Sequence, residues 1–530
     1  IEYEKSVLAS TTVLGEGTVL TYTITVRNTG AATGTVSKVD DLTDVLDDAE
    51  VTSAPSSDTA SVIVSSIAGG AFSLGGTLAA GGVAEVTYEV TVLPQEERGD
   101  NLAQNFLVDP GSETPTACAS GDPSCTASAL PFIVPSKSVD PASGTDVAAG
   151  DVLTYTLSFE NTGGATGSVD YTDLLDGIVD DAVVSDLTVV SGPLGALRID
   201  DTILVTGELP SGAVATITYL VTVEPDGERG DNSLGNFLVE TGDTPASDCV
   251  AGDSTCTVND IAEFERWKTV SASSTPVVAG TVLTYNVFVR NSGEGAGEVD
   301  FVDDLTHVLD DADVTAEPAS SILASPRTGP EIEISGTVAA GVTAVVTYQV
   351  TIGDDGERGD DAAANFLLDT GEEPPTSAAC APADPALPDC TITGIGHLEV
   401  TKSVTASTDP IDAGTELTYT LTFENIGTGP VPVDKVDDLA GVLDDATLED
   451  APVASDAALS ASAVVDDAFT VTGSLAGGET VTVQYSVIVN AIDDRGDDNV
   501  VNFVLDSGAE APDDCGSADV PCTETPLPRC

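Results

Sequence analysis

Methionine is absent from this chain of 530 residues, tryptophan occurs once, histidine twice, and aromatic residues make up only 4% of the sequence. Basic side chains are also scarce: 16 lysines and arginines stand against 89 acidic residues, which gives a formal net charge of −73. Such a surface repels nucleic acid and anionic membranes and offers no basic patch to follow phosphates, so nucleic-acid binding is excluded. No run of about 18 apolar residues is present, and we therefore expect no membrane-spanning helix.

The scarcity of histidine also argues against catalysis on an external substrate. His307 and His397 do not occupy equivalent positions, and neither a Gly-x-Ser-x-Gly elbow nor a phosphate-binding loop is present. We therefore predict that the protein is not an enzyme, apart from a single reaction within its own chain that is described below. No cofactor is predicted, with calcium as the one candidate ligand.

The hydrophobic fraction of 41% is ordinary for a folded protein, so the acidic residues decorate folded domains and do not indicate disorder. The first residue, Ile1, is not methionine, and the opening IEYEKSV aligns with the starts of later repeats. We therefore expect the chain to be a processed or excerpted stretch of a longer protein.

The chain contains four copies of one sequence, repeated about every 130 residues. This period is too long for a solenoid unit and is typical of an independent domain. We place the domains at residues 1–129, 130–260, 261–395 and 396–530.

Each repeat contains short alternating runs of β-branched and polar residues. In Val19–Val26, for example, Leu20, Tyr22, Ile24 and Val26 would share one face of a strand, and Gly-rich turns separate such runs. No window has sustained helical periodicity. These patterns predict an all-β protein of four tandem immunoglobulin-like β-sandwich domains in an elongated array.

One lysine recurs near the start of every repeat, and an equivalent asparagine follows it about 100 residues later. Only two other lysines exist, Lys38 and Lys435, and no arginine replaces the repeated lysine. An amine is therefore required at this position, which suggests a covalent Lys–Asn cross-link. The pairs are Lys5 and Asn105, Lys137 and Asn236, Lys268 and Asn365, and Lys402 and Asn502.

Attack of a lysine amine on an asparagine carboxamide requires a neutral amine and a proton donor. An apolar core supplies both, because burial lowers the pKa of lysine and raises that of a nearby carboxylic acid. One repeated aspartate, in the phrase VDDLTDVLDDA and its copies, fits this role, although the position two residues before it suggests a bulge or a strand end. A plain salt bridge between lysine and aspartate remains the alternative. The aspartates are Asp40, Asp173, Asp303 and Asp437.

Eight of the nine cysteines form one close pair in each repeat, after the asparagine segment. A tetrahedral zinc site would need a second pair of ligands, so local disulfides and an oxidising, extracellular compartment are favoured. Cys530 is left over and has no assigned partner. The pairs are Cys118 and Cys125, Cys249 and Cys256, Cys380 and Cys390, and Cys515 and Cys522.

Two further motifs recur in all four repeats. An Arg-Gly-Asp tripeptide, first at Arg98–Asp100, spells an integrin-type sequence, but its fixed place before the asparagine segment favours a structural turn. A pair of aspartates could ligate calcium, a hard cation that prefers oxygen ligands, or could be a solvated acidic turn. The pairs are Asp47 and Asp48, Asp180 and Asp181, Asp310 and Asp311, and Asp444 and Asp445.

The order of lysine, aspartate and asparagine resembles the self-cross-linking sandwich domains of bacterial pilins and collagen-type (Cna-type) adhesins. Phrases such as TYTxxxxNTG and VxDxL are also similar to the tandem "conserved repeat" domains of bacterial cell-surface proteins. The resemblance implies a spontaneous Lys–Asn isopeptide bond promoted by the aspartate, a pilus-like fibre or adhesin stalk, and display at the cell surface.

We therefore expect an extracellular structural shaft whose partners are the neighbouring repeats and like subunits of a filament. A calcium-dependent surface-layer or adhesin lattice component without isopeptide bonds is the alternative. A receptor-binding role would require a ligand that the sequence does not identify.

Overall fold

The computed structural model describes residues 1–380, 385–386, 388–512, 514–516 and 520–528. The chain divides into two compact units, one of Ile1–Glu263 with Gly293–Gly295 and the other of Phe264–Ser292 with Ala296–Cys530. Within the described residues, no helix is both long and apolar enough to cross a membrane.

The first repeat consists of nine strands and one short 3-10 helix, Gln95–Glu97. The strands are β1 (Glu2–Ala9), β2 (Val19–Arg27), β3 (Gly34–Asp41), β4 (Ala49–Ser57), β5 (Val62–Val64), β6 (Ala71–Leu78), β7 (Val83–Val92), β8 (Leu102–Val108) and β9 (Cys125–Ala129).

The other repeats have the same nine strands in the same order. In the second repeat these are β10 (Ile133–Asp140), β11 (Val152–Asn161), β12 (Gly167–Leu174), β13 (Ala182–Ser191), β14 (Gly195–Ile199), β15 (Thr202–Leu209), β16 (Val214–Val223), β17 (Asn236–Glu240) and β18 (Cys256–Thr257). In the third they are β19 (Phe264–Ala272), β20 (Val282–Asn291), β21 (Gly297–Asp304), β22 (Ala312–Ala319), β23 (Arg327–Thr328), β24 (Glu331–Val338), β25 (Thr343–Ile352), β26 (Ala362–Asp369) and β27 (Cys390–Gly394).

The fourth repeat adds a single helical turn, α1 (Ala440–Leu443), and the third and fourth have 3-10 turns at Ser377–Ala379 and Ile492–Asp494. Its strands are β28 (Leu398–Ala406), β29 (Glu416–Asn425), β30 (Val431–Asp438), β31 (Ala446–Ala454), β32 (Leu459–Ala461), β33 (Ala468–Leu475), β34 (Thr480–Val489), β35 (Asn499–Asp506) and β36 (Cys522–Pro526).

Each repeat folds into two antiparallel sheets. In the first repeat the strand orders are β1-β2-β7-β4 and β5-β6-β3-β8-β9, and the other three repeats have equivalent orders. Side chains of both sheets, such as Tyr22 from β2 and Phe72 from β6, meet in one hydrophobic core per repeat. The predicted all-β class of tandem two-sheet domains is therefore confirmed.

The alternating pattern places the residues as the period of a strand requires. Leu20, Tyr22, Ile24 and Val26 are all 0% exposed, whereas the residues between them are partly accessible. Strand β2 lies between the edge strand β1 and the central strand β7. Its buried face is therefore part of a continuous apolar surface on the inner side of the first sheet.

The strands with the repeated polar residues belong to different sheets. Lys5 lies on the edge strand β1 of the first sheet, whereas Asp40 on β3 and Asn105 on β8 lie on neighbouring strands of the second sheet. The ladder between β3 and β6 is continuous at Lys38, so there is no bulge before the aspartate, which lies one residue from the end of its strand. The asparagine strand is not the last strand, since β9 follows it and pairs with it.

Candidate functional site

The four repeated lysines and the four repeated aspartates meet inside the cores. Each lysine and its aspartate have side chains that are 0% exposed, and each pair is in hydrogen-bonding contact. The two other lysines of the chain, Lys38 and Lys435, instead pair with exposed aspartates at the surface. Burial therefore distinguishes the repeated lysines from the rest.

A tyrosine connects this pair to the asparagine. In the second repeat, Lys137 Nζ donates to Asp173 Oδ1 at 2.5 Å and to the hydroxyl of Tyr219 at 3.1 Å. The Tyr219 hydroxyl donates to Asp173 Oδ2 at 2.6 Å and accepts from Asn236 Nδ2, also at 2.6 Å. The structure thus brings the predicted lysine, aspartate and asparagine together around one hydroxyl group.

The same tetrad of side chains occurs in every repeat. Tyr88, Tyr348 and Tyr485 take the place of Tyr219 and accept a hydrogen bond from the amide nitrogen of Asn105, Asn365 and Asn502, respectively. Each of these tyrosines also hydrogen-bonds the aspartate of its repeat, as at Tyr88 to Asp40, 2.8 Å.

Sequence reasoning missed the tyrosine. Eight of the ten tyrosines form four stacked pairs, with ring centroids 5.0–5.2 Å apart, and one ring of each pair belongs to the tetrad. The recurrence of tyrosine in VTYEVTV and its copies was the available signal. Alternation alone assigns this residue to the core and does not reveal the partners of its hydroxyl group.

Burial changes the acidity of the tetrad. It lowers the pKa of Lys5 to about 8, although the neighbouring Asp40 acts in the opposite direction, and it raises the pKa of Asp40. The pKa of Tyr88 lies well above its usual value for the same reason, so its hydroxyl keeps its proton. Lys268 and Lys402 also have a pKa of about 8, that of Lys137 is lowered, and those of Asp303 and Asp437 are raised.

These shifts favour a neutral amine next to a protonated acid, since each charged form is poorly solvated in a core. A neutral amine is a nucleophile, and a protonated acid can donate a hydrogen bond or a proton. The arrangement can therefore support attack on the neighbouring carboxamide.

The carboxamide oxygen of the asparagine is buried without a partner in each repeat. Within the described residues, Oδ1 of Asn105, Asn236, Asn365 and Asn502 accepts no hydrogen bond. An unsatisfied buried acceptor costs about 1–3 kcal/mol, and such groups in native proteins call for a structural or chemical reason.

A disulfide-bonded loop joins the lysine strand to the asparagine strand. The predicted disulfides are present, and in the first repeat Cys118 and Cys125 are joined. Just before Cys125, the carbonyl of Pro123 accepts from the backbone N–H of Lys5 at 2.7 Å, and that of Ser124 accepts from Leu107 at 2.7 Å. The loop thus ties together the strands of the two sheets that carry the lysine and the asparagine. Cys530 lies outside the described residues.

The Arg-Gly-Asp tripeptide lies in a turn in which the arginine side chain is buried. In the second repeat the side chain of Arg229 is 0% exposed and donates to the carbonyl oxygens of Glu224 and Ala262. A Cβ atom at Gly230 would lie 2.5 Å from a carboxylate oxygen of Asp180, so a larger residue there would displace that side chain. The buried guanidinium group supports the structural-turn interpretation.

The two aspartates of each acidic pair differ in their exposure to solvent. The first aspartate is exposed, as expected of a solvated turn, but that expectation is wrong for the second, which is buried. Asp181 accepts hydrogen bonds from the backbone N–H groups of Gly230, Asn232 and Ser233, at 3.0, 3.1 and 3.2 Å. The second aspartate therefore holds the Arg-Gly-Asp turn in place.

Three carboxylates approach one another near this turn in each repeat. In the last three repeats the group combines the acidic pair with the aspartate of the tripeptide, whereas the first repeat contributes Asp44, Asp47 and Asp100. In the last three repeats the buried member already accepts backbone hydrogen bonds, so these groups can be explained without an ion. Calcium binding stays an untested alternative.

These features define a class of protein: tandem all-β repeats, each with a buried lysine, aspartate, tyrosine and asparagine and a local disulfide. The chain belongs to the family described as domain of unknown function DUF7927, whose sequence profile matches four times, at residues 1–130, 133–261, 263–395 and 397–527. The search of curated proteins found no match.

The chain is also weakly similar to solved structures. One is a trypsin-activated alpha-2-macroglobulin from Escherichia coli, with 10% identity, a TM-score of 0.15 and coverage of 99% of this chain and 42% of that one. Another is a putative membrane-anchored protein from Corynebacterium diphtheriae, with 9% identity, a TM-score of 0.15 and coverage of 93% and 95%. The chain thus spans less than half of the macroglobulin, and similarities this weak carry no argument about function.

Proposed function

We propose that this chain is a load-bearing part of the shaft of an extracellular surface fibre or long adhesin stalk, and that a Lys–Asn isopeptide bond closes each repeat. The observation that carries the proposal is the recurrence of one buried tetrad in all four repeats. The local disulfides support an oxidising, extracellular setting.

A simple ion pair accounts for less of the site than a cross-link does. A buried lysine–aspartate pair costs desolvation that its attraction does not reliably offset, so it is weak evidence of a stabilising role. An ion pair would also require no asparagine, and it would require no tyrosine to accept a hydrogen bond from the amide nitrogen of that asparagine. A reaction that consumes the lysine and the asparagine gives every member of the tetrad a role and removes two poorly solvated groups.

The positions of the linked residues fit a mechanical role. A bond from Lys5 on β1 to Asn105 on β8 would join the two sheets and bypass the chain between them. In the chain-entropy picture used for disulfides, closing a loop of about 100 residues adds about 4.7 kcal/mol of stability. Under tension the bond would transmit the force directly from Lys5 to Asn105, so the chain between these two residues could not extend.

The alternative function is a calcium-dependent lattice component without isopeptide bonds. It rests on the groups of three carboxylates, one in each repeat. Removal of calcium would dissolve a lattice of that kind and would leave covalently closed repeats unchanged.

Force spectroscopy on the full chain tests the proposal. When a repeat without the bond unfolds under force, about 100 residues become free to extend. At about 3.4 Å per residue, the contour length increases by roughly 340 Å. We expect no steps of that size from the natural chain, with or without a calcium chelator. A control chain carrying Asn→Ala at all four positions should give them. Steps of this length from the natural chain would refute a load-bearing cross-link.

A further inference from the structure

The hydroxyl of one tyrosine lies between the aspartate and the asparagine in every repeat. In the first repeat the Tyr88 hydroxyl donates to Asp40 Oδ2 at 2.8 Å, accepts from Asn105 Nδ2, and lies 3.2 Å from Lys5 Nζ. Among the described residues this hydroxyl is the hydrogen-bond partner of the amide nitrogen, and the structure records no direct bond between that nitrogen and the aspartate.

We propose that Tyr88, Tyr219, Tyr348 and Tyr485 are catalytic residues of cross-link formation, in which each hydroxyl passes a proton from the aspartate to the departing amide nitrogen. This inference rests on the proposed isopeptide bond and names the group that releases ammonia.

The reaction starts with a proton transfer from the lysine ammonium group to the aspartate, which leaves a neutral amine and a carboxylic acid. The amine nitrogen then attacks Cγ of the asparagine and forms a tetrahedral adduct. As the bond from Cγ to Nδ2 breaks, Nδ2 takes the hydroxyl proton of the tyrosine and leaves as ammonia, while the tyrosine takes the proton of the carboxylic acid. The new amide nitrogen returns its extra proton to the aspartate.

The atoms and charges balance without any other reactant. A lysine ammonium, an aspartate carboxylate and a carboxamide become a secondary amide, a neutral carboxylic acid and ammonia, and the tyrosine is unchanged. The leaving nitrogen needs a proton because an amide anion is a very poor leaving group. The tyrosine supplies it at the atom where it is required, which is the geometric condition for general acid catalysis.

Burial of the site supports the relay. The pKa of Tyr88 is raised by burial and by the charge of Asp40, so the hydroxyl is protonated before the reaction. The pKa of Asp40 is also raised, which lets the aspartate hold the proton that the tyrosine takes up. The stacked partner ring keeps Tyr88 in place, with ring centroids 5.1 Å apart.

The first repeat offers a matched control. Tyr22 stacks on Tyr88 and is just as buried, but within the described residues its hydroxyl has no hydrogen-bond partner. Tyr22→Phe and Tyr88→Phe therefore remove the same atom from adjacent rings, and only the second removes it from the tetrad. The three other repeats of the same chain serve as internal standards.

The test follows the loss of ammonia with time in the refolding full chain, read for each repeat by mass spectrometry of digested samples. We expect Tyr88→Phe to slow cross-linking in the first repeat by about 100-fold or more, the usual contribution of a general acid. Tyr22→Phe should react like the natural chain. Equal rates for the two variants, in a natural chain that does cross-link, would overturn the role of the tyrosine. Absence of ammonia loss from the natural chain would instead overturn the proposed function.

A second measurement covers the case in which Tyr88→Phe fails to fold. Replacement of all tyrosines by 3-fluorotyrosine keeps the shape of the ring and makes the phenol a stronger acid. We expect the rate of cross-linking to change in all four repeats, because the acidity of the phenol affects both the proton that it gives to the leaving nitrogen and the proton that it takes from the aspartate. An unchanged rate would mean that the hydroxyl only positions its neighbours, and would overturn the proposal.

Discussion

Replacement of one buried aspartate should open the turn that leads into the asparagine strand. Asp181 accepts three backbone N–H groups, and the N–H of Asn232 has no other acceptor in the described residues. Asp180, its neighbour, is exposed, and its carboxylate is paired with its own backbone N–H and not with those of residues 230, 232 and 233, which Asp181 accepts. Asp181→Ala and Asp180→Ala therefore form a pair of variants with equal changes in charge.

The magnitude follows from the three hydrogen bonds. A bond to a charged acceptor contributes about 1.5–3 kcal/mol, and contributions within one loop do not simply add. Gly230 and Ser233 have second acceptors, the carbonyl of Asp180 and the carboxylate of Asp231, which lowers the loss. We expect Asp181→Ala to lower the free energy of opening of this turn by roughly 3–5 kcal/mol.

Amide hydrogen exchange of the full chain measures this loss. At about 1.4 kcal/mol for each factor of ten, the amides of residues 230–233 should exchange at least roughly 100-fold faster in Asp181→Ala. Asp180→Ala should leave them within a few-fold, because it removes a neighbouring like charge and none of the three hydrogen bonds to Asp181. Similar exchange in the two variants would refute the role of the buried aspartate as the cap of this turn. Because Asn236 follows closely, Asp181→Ala should also slow cross-linking in the second repeat.

Three further predictions concern the first repeat. Asn105→Ala should lower its unfolding free energy by about 4.7 kcal/mol, measured by exchange of its core amides, and no change would contradict a covalent closure. When Asp40→Asn is added to that variant, so that the aspartate no longer titrates, Lys5 stays free and burial lowers its pKa below the ordinary 10.5; between the lowered value and 10.5 the unfolded chain binds more protons, so stability should rise with pH, and a flat profile would show that the lysine is not desolvated. Replacing Cys118 and Cys125 by serine opens a loop with a sequence separation of 7 and should cost roughly 2 kcal/mol, whereas an unchanged stability would mean that the loop is held by its hydrogen bonds alone.

Local patterns predicted the strands and the buried residues well. Leu20, Tyr22, Ile24 and Val26 form one buried face as alternation requires, and the recurrence of the motif predicted four domains. The strand order could not be predicted in this way, because β2 pairs with β7 through contacts that are far apart in the sequence. The additional strand β9 beyond the asparagine strand was missed for the same reason.

The site was predicted only in part. The rarity of lysine singled out Lys5 and its equivalents, because a scarce residue at a fixed position of a repeat indicates a chemical requirement. The contribution of Tyr88 depends on where its hydroxyl group lies between the two sheets, which alternation along one strand does not specify. The burial of Asp48 was also not predictable, because two adjacent aspartates in a loop look alike until backbone N–H groups select one of them.

The intact mass of the full chain, measured in denaturing and reducing solution, tests the cross-link most directly. If all four repeats have reacted, the mass will fall short of that calculated from the sequence by four molecules of ammonia, and the Asn105→Ala variant will lack one of these losses. A mass equal to that of the unmodified sequence would contradict the isopeptide bonds and leave four buried ion pairs in their place.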